Sequence, residues 1–170
     1  MLTVNFSALR NNMKIYLNKV SEECETLLIP RTSNQDNVII LPEDTYETLR
    51  ENIFLLESLT NHQWLAQSIE QLNTGRSQAL QDASEAGLPV IFSENAWKDY
   101  CVWQSADRKT SGRIDAMLAD IVAADSENSG QPRLLQGDFH GCWSRRINDR
   151  DRLVYRVESD SIQILACRYH

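Results

Sequence analysis

The sequence predicts an α+β protein of two domains, and three observations lead to this fold class. Strand and helix patterns follow one another in a different order in each half of the chain. A polar stretch with neither helical nor strand periodicity, RSQALQDASEAG, separates the halves. Residues 1–88 hold 6 Lys and Arg against 12 Asp and Glu, whereas residues 89–170 hold 11 against 12. This charge asymmetry favours two modules, and chance scatter within one domain is the alternative.

The first half predicts the order β-α-β-β-α-α. TVNFS, ETLLIPR and NVIILP have strand patterns, with the turn residues TSNQD between the last two. A helix is expected to begin at Ser7 as N-cap, because apolar residues recur after it at helical spacing. Pro42 opens a second helix with an acidic first turn, and Gly75 ends a third, NHQWLAQSIEQLN. We place this domain at residues 1–75 and a linker at 76–88.

The second half, residues 89–170, predicts helices packed on an antiparallel sheet. LPVIFS is a leading strand, and two amphipathic helices follow, ENAWKDYCVWQ and DRKTSGRIDAMLADIVAA. Three strands complete the domain: CWSRRIN, RLVYRV and SIQILACRYH. Two helices followed by a meander make a compact α+β domain.

Composition excludes several classes of protein. The longest apolar runs, IVAA and NVIIL, are far shorter than the ~18–20 residues that span a bilayer, and the start of the chain has no apolar signal segment. We therefore expect no membrane contact and a cytoplasmic location. The four cysteines are scattered without a C-x-x-C pair, so reduced thiols, no metal and no cofactor are expected: Cys24, Cys101, Cys142 and Cys167.

The register of the last two strands follows from their alternation. Pairing Leu153 with Cys167 and Tyr155 with Leu165 creates one apolar face. This pairing requires a hairpin loop with an odd number of residues, or a bulge, near Ser159–Ser161.

The same register clusters positive charge. Arg152 then lies across from Arg168, with His170 beside them, and the adjacent strand adds Arg145 or Arg146. Like charges placed opposite each other destabilise a sheet, whereas a phosphate-binding site needs them, because guanidinium groups fit phosphate oxygens. A solvated polar face of the sheet is the alternative.

A histidine beside such arginines suits metal-independent cleavage of RNA. The 2′-hydroxyl is a built-in nucleophile. Arg152 would stabilise charge on the phosphate, and His170 would act as general acid on the leaving oxygen.

The motifs also carry a resemblance to known families. FSENAWKDYCVWQSADRK, GCWSRRINDRDRLVYRV and LACRYH resemble the YoeB toxins of the RelE/ParE superfamily, which are ribosome-dependent mRNA interferases. SALRNN, LLIPR and EDTYETLRENIFLL resemble the Phd/YefM antitoxins. The chain therefore resembles a natural fusion of an antitoxin with the toxin that follows it.

For the toxin half, the resemblance implies that Arg152 is the transition-state arginine, that His170 is the catalytic histidine and that Arg146 grips the RNA backbone, with Arg145 beside it. Two departures stand out. GQPRLL replaces the family's G-K-P-E-P-L, which puts Arg133 at the position of the general-base glutamate, and the family's tyrosine after the histidine is lacking. Loss of a general base costs ~10²–10⁴-fold in rate, so a weak or inactive nuclease is expected. Glu127, in the same loop, is a remote substitute.

For the antitoxin half, the resemblance implies that Arg10 contacts operator DNA, with Arg31 as a second basic position. The apolar stretch YETLRENIFLLESLTNHQWL is longer than one small core needs, which indicates a homodimer interface. In the family, the segment after the antitoxin core covers the toxin site, and here that segment is also the linker, about Arg76–Pro89. A short tether gives a high effective concentration of inhibitor.

Two functional hypotheses follow. The first is a tethered, autoinhibited mRNA interferase whose partners are mRNA on the ribosome and operator DNA. The second is a DNA-binding autorepressor whose toxin-like half is catalytically dead and acts as a binding module. Arg133 and the lacking tyrosine favour the second, and the retained Arg152 and His170 favour the first. A toxin of the gyrase-inhibiting branch is a third hypothesis, against which CRYH argues.

Overall fold

A computed structural model describes residues 1–31, 36–80, 88–123 and 132–170. The chain divides into two compact units, residues 1–50 and residues 51–170. This division does not coincide with the predicted segments 1–75, 76–88 and 89–170, and that partition stays a prediction.

The first unit is a three-stranded sheet with short helices. Its elements are β1 (Leu2–Thr3), α1 (Phe6–Asn11), α2 (Met13–Glu22), β2 (Leu27–Ile29), β3 (Val38–Ile40) and the start of α3 (Glu43–Glu57). Strand β2 is central, parallel to β1 and antiparallel to β3. Its small core contains Val4, Leu9, Val20, Leu27 and Ile29.

The predicted first helix differs in its start and its continuity. Asn5, not Ser7, is the N-cap, and its side chain accepts the Ala8 N–H at 2.8 Å. Asn12 leaves the helical conformation (φ −129°, ψ 34°) and divides the helix into α1 and α2. Asparagine stabilises such interruptions because its side chain bonds nearby backbone groups, here the carbonyl of Ala8 at 3.3 Å.

The second unit is built on a six-stranded sheet. After α3 come α4 (Leu59–Asn73), β4 (Ser77–Ala79), β5 (Val90–Ser93), α5 (Glu94–Ala106), α6 (Arg108–Val122), β6 (Arg133–Leu134), a 3₁₀ turn (Gly137–Phe139), β7 (Cys142–Arg146), β8 (Arg152–Val157) and β9 (Ile162–Ala166). The strand order is β4-β5-β9-β8-β7-β6, with β5 and β9 parallel and the other pairs antiparallel. The predicted α+β class, with helices on a sheet in the second half, is confirmed.

Helices cover both faces of this sheet. One face packs against α5 and α6 through a core that includes Phe92, Ile114, Leu153 and Ile164. The other face carries Val154 and Leu165, which pack with Leu55 of α3 and Leu65 of α4. The sequence predicted the first of these layers, and the second is contributed by the antitoxin-like segment.

Two sequence expectations about the sheet are corrected. Val154 pairs with Ala166, but a bulge shifts the register so that Tyr155 pairs with Ile164, not Leu165. The bulge lets Leu165 join the core beneath α4, which a regular alternation would not allow. Strand β9 ends at Ala166, so Arg168 is not paired across from Arg152.

The first residues of the predicted linker form a strand. Ser77–Ala79 make up the edge strand β4, antiparallel to β5, with Gln78 opposite Phe92. Short polar strands of this kind are hard to recognise, because they bury nothing and show no apolar alternation. Among the helices that the structure describes, none is long and apolar enough to cross a bilayer.

Candidate functional site

Arg152 lies at the start of β8 and is buried beneath α3. Its Nε donates to Oε1 of Glu51 at 2.7 Å, and Nη1 donates to the carbonyl of Asn148 at 2.9 Å. The ring of Phe54 covers the guanidinium group, with 4.6 Å from Cζ to the ring centroid. Glu51 also accepts the Ser144 hydroxyl at 2.5 Å. A carboxylate from α3 therefore occupies the polar edge of Arg152.

His170 is held by α4 and α5. Its ring Nε2 lies 3.0 Å from Oδ1 of Asp99, and its face stacks on Trp64 with ring centroids 3.9 Å apart. The backbone is held as well: the His170 N–H donates to Oδ1 of Asn61 at 3.3 Å, and the Ser58 hydroxyl donates to the His170 carbonyl at 2.9 Å. Three of these four partners come from residues 58–64.

A row of contacts connects the two catalytic candidates. The ring of Phe54, which covers Arg152, also lies 4.6 Å from the ring of Tyr169, the neighbour of His170. The Tyr169 N–H donates to Oδ1 of Asp151 at 3.1 Å. Arg152 and His170 thus border one continuous contact surface with α3 and α4.

Asp99 is a buried carboxyl group whose pKa is shifted by its surroundings. Burial raises its pKa above the ordinary value of 3.8, while the His170 ring and the Cys167 N–H favour its charged form and offset part of the rise. The nearby indole N–H of Trp64 also favours the charged form of Asp99. It makes no hydrogen bond among the described residues. Burial, with the Asp99 charge as a second cause, also raises the pKa of the Cys167 thiol.

The other arginines of the sheet lie on different faces of it. Arg146 pairs directly with Arg152, and Arg133 pairs with Ser144, so all four share the face that α3 covers. Arg145 lies on the other face, buried, with Nε 3.3 Å from the Tyr155 hydroxyl. Of the two arginines offered by CWSRRIN, the structure therefore brings Arg146, and not Arg145, beside Arg152.

The other predicted site residues are more dispersed. Arg168 is exposed and lies over the Trp103 ring at 5.8 Å. In the first unit, Arg10 is exposed in the last turn of α1, and Arg31 is exposed just after β2. Glu127 lies outside the described residues. Within the described ranges no three His, Cys, Asp or Glu side chains gather as a metal-binding group.

The residues that contact Arg152 and His170 come from 51–64. In the described part of the predicted blocking segment, about Arg76–Pro89, Ser77–Ala79 form the edge strand β4, and the assignment of that segment as the inhibitor stays a prediction. No sequence pattern marked Glu51, which is one acid among several in α3. Asp99 had a weak signal: it falls at helical spacing from the buried Ala96, so it is a charge on the inward face of α5.

Comparison with known proteins finds two families, one in each half of the chain. Residues 92–170 match the family model of the YoeB-like toxin of bacterial type II toxin-antitoxin systems, and residues 1–75 match that of the Phd_YefM antitoxin of such systems.

Individual relatives agree with both models. Toxin YoeB of Streptomyces coelicolor is 42% identical over 83 residues, which is 49% of this chain and 99% of that protein. Toxin YoeB of Escherichia coli is 41% identical over the same length, with the same coverage. Antitoxin YefM of Escherichia coli is 30% identical over 76 residues, which is 45% of this chain and 90% of that protein.

Solved structures of such proteins are also similar to this chain. The heterotetrameric YoeB–YefM complex of Staphylococcus aureus is 38% identical and covers 50% of this chain and 99% of that one, with a TM-score of 0.46.

The two family models and the relatives of known sequence define a type II toxin–antitoxin protein. The chain belongs to both families, with a Phd/YefM antitoxin domain and a YoeB toxin domain fused in one polypeptide. The resemblance expected from the sequence motifs is confirmed.

Proposed function

We propose that this chain is an mRNA interferase of the YoeB type, an endoribonuclease acting on mRNA at the ribosome, and that its own antitoxin helices hold the nuclease site closed. The observation that carries the proposal is the pair formed by Glu51 and Arg152, with Nε and Oε1 2.7 Å apart. The guanidinium group that would stabilise the reacting phosphate is buried under α3. The site of action would be the cytoplasm, where ribosomes and operator DNA both lie.

Glu51 substitutes for the phosphate of the substrate. Carboxylate and phosphate oxygens accept the same charge-assisted hydrogen bonds from a guanidinium group. Glu51 uses the Nε donor of Arg152 and adds the Ser144 hydroxyl at 2.5 Å. An RNA phosphate can reach Arg152 only after this carboxylate has left.

Trp64 closes the other part of the site. It stacks on the His170 ring at 3.9 Å, so one face of the general acid is covered by indole. Ser58 and Asn61 bind the backbone of the same residue and fix it against α4. Opening of the site therefore involves both α3 and α4, and removal of the Glu51 carboxylate would shift the balance towards the open form.

The inhibitor and the nuclease are tethered in one chain. The linker of residues 76–88 keeps α3 and α4 at a high effective concentration near Arg152. Inhibition consequently needs no second molecule, although a second copy of the antitoxin domain is expected as a dimer partner.

Arg133 weakens the chemistry and favours the closed form. It shares a face with Ser144, whose hydroxyl binds Glu51. A glutamate at this position would supply the family's general base, and it would also place a second carboxylate on the face that Glu51 approaches. Arginine removes the base, which costs roughly 10²–10⁴-fold in rate, and adds a cation on the same face.

The second candidate function is DNA-binding autorepression with a catalytically dead toxin domain, which the charge reversal at Arg133 favours. Arg10 and Arg31 are exposed and available for phosphate contacts. A homodimer would present two copies of each. Exposed apolar side chains of the first unit support such a dimer: Met13, Ile15, Leu17, Val38, Ile39, Tyr46 and Leu49.

Cleavage of mRNA during in vitro translation tests the nuclease proposal. We expect the parent chain to leave mRNA intact and the Glu51→Ala chain to cleave it. Glu57→Ala is the matched control, because Glu57 lies on the same helix and is exposed. Absence of cleavage by Glu51→Ala, and by Glu51→Ala combined with Arg133→Glu, would exclude an inhibited nuclease and leave the autorepressor.

A mobility-shift assay with the chain's own promoter tests DNA binding. Arg10→Ala should lose the shifted band, whereas Lys14→Ala in α2 should retain most of it. Equal binding by Arg10→Ala and the parent chain would refute the assignment of Arg10.

A further inference from the structure

We propose that Asp99 is a positioning residue for His170: its carboxylate accepts the Nε2–H of the imidazole and leaves Nδ1 as the nitrogen that exchanges a proton with RNA. The catalytic half of this statement rests on the proposed nuclease function. The choice of ring nitrogen does not, and it can be measured separately.

Asp99 is held rigidly enough to fix a ring. It lies on α5 with 4% exposure, and its two oxygens have separate tasks. Oδ1 faces Nε2 of His170 at 3.0 Å, and Oδ2 accepts the backbone N–H of Cys167 at 3.4 Å. Trp103, one turn along α5, donates its indole N–H to the Cys167 carbonyl at 2.8 Å. Cys167, three positions before the histidine, is thus bound to α5 through both its backbone N–H and its carbonyl.

The carboxylate of Asp99 determines which tautomer the His170 ring adopts. An ionised carboxylate only accepts hydrogen bonds, so the ring nitrogen facing it carries hydrogen. A neutral imidazole has one N–H, and with Nε2 protonated the lone pair lies on Nδ1. The described residues place no hydrogen bond on Nδ1. When Nδ1 takes a proton, the carboxylate stabilises the imidazolium that forms, as in other His–Asp pairs.

A carboxylate is an expensive group to bury, and binding a backbone N–H does not require its charge. An asparagine would accept the Cys167 N–H at lower desolvation cost. The raised pKa of Asp99 reflects this cost, and the neighbouring imidazole offsets part of it. A perturbed carboxyl group bonded to a catalytic histidine is typical of a functional pair.

The pair belongs to the toxin domain alone. Asp99, Cys167 and His170 all lie within residues 92–170, which match the toxin family. Trp64 of the antitoxin domain stacks on the ring without replacing its bond to Asp99. Positioning and inhibition therefore act on the same imidazole from two directions.

Long-range ¹H–¹⁵N spectra of the full chain test the inference. The sequence has three histidines, so His170 is assigned by the signals lost in His170→Gln. We expect the Nε2–H tautomer in the parent chain and a mixture of tautomers in Asp99→Leu. An Nδ1–H tautomer in the parent, or an unchanged ring in Asp99→Leu, would overturn the assignment.

A milder variant covers the case in which Asp99→Leu does not fold. Asp99→Asn keeps an acceptor but loses the charge, so the Nε2–H proton should move upfield and exchange faster with water. Glu94→Gln, a change to an exposed carboxylate on the same helix, should leave the spectrum of His170 unaltered. An Nε2–H signal identical in Asp99→Asn and the parent would count against Asp99.

Cleavage kinetics separate the two parts of the proposal. In the Glu51→Ala background, Asp99→Asn should lower kcat by roughly 10²-fold or more and leave KM for mRNA unchanged, because Asp99 does not touch RNA. An undiminished kcat would refute the positioning role. If Glu51→Ala itself cleaves nothing, the nuclease function fails, and the tautomer measurement still decides which nitrogen Asp99 binds.

Discussion

Arg146 and Arg152 lie directly opposite each other on β7 and β8, yet their surroundings are opposite in character. Arg146 pairs with Asp149, three residues away, at 2.6 Å, and the two side chains are 59% and 100% exposed. Arg152 pairs with Glu51, 101 residues away, at 2.7 Å, and the two side chains are 8% and 15% exposed. Nearly equal distances therefore describe two different interactions.

The difference shows how burial, not distance, sets what an ion pair contributes. Water screens the Arg146 pair, and exposed pairs typically contribute little. The Arg152 pair is largely removed from water, so loss of either partner leaves a charge without compensation. Arg146 is therefore accessible from solvent, whereas Arg152 stays covered as long as α3 is in place.

The largest expected effect comes from breaking the buried pair. Glu51→Ala should lower the free energy of unfolding by about 3 kcal/mol, because Arg152 stays buried without its anion. Denaturant unfolding of the full chain measures this loss. Glu57→Ala, on the same helix but exposed, should change stability by much less, and equal losses in the two variants would contradict the comparison.

A smaller loss is expected at Asn61, which is 1% exposed. Its side chain donates to the Leu55 carbonyl at 2.7 Å and accepts the His170 N–H at 3.3 Å. Asn61→Ala leaves both groups unsatisfied and should cost about 2 kcal/mol. Gln63→Ala, at an exposed position of α4, is the control in the same unfolding assay.

Asp99, which is also buried, should make the stability of the chain depend on pH. Its pKa is raised in the folded chain, so the folded state binds this proton more readily than the unfolded state, whose value is near 3.8. Its contribution to stability is present below the unfolded pKa and is lost as pH rises through the raised folded pKa. Relative to Asp99→Asn, the parent chain should therefore lose stability from acid towards neutral pH. A constant difference across that range would exclude the titration.

The smallest effect is expected at the exposed pair. Asp149→Asn should leave thermal unfolding unchanged within error, because Asp149 is fully exposed and water replaces it at Arg146. A clear fall in the midpoint would mean that exposure is a poor guide to the strength of these pairs.

The sequence predicted the parts of the molecule whose pattern is local. Helices α5 and α6 and strands β7, β8 and β9 follow from apolar periodicity. The charge reversal that the motif GQPRLL predicts at Arg133 stays a prediction. The pairing of Glu51 with Arg152 joins residues 101 apart, and no local pattern marks one acid of α3 above the others.

The position of the bulge in β9 was missed for a related reason, since the sequence allowed a bulge only near Ser159–Ser161. Leu165 fits either register by its own chemistry, and only the helix layer formed by α3 and α4 selects the face on which it is buried. Tertiary packing, absent from a strand pattern, made that choice.

Strand β4 has a consequence for how such a fusion could be switched on. Strand β4 (Ser77–Ala79) is hydrogen-bonded to β5, and positions 81–87 lie between the two strands in the sequence. A protease nick in that stretch would yield two polypeptides that still share a sheet, with Glu51 and Trp64 in place. Cutting the chain there would therefore not by itself expose Arg152 and His170, because the upstream fragment would first have to unfold.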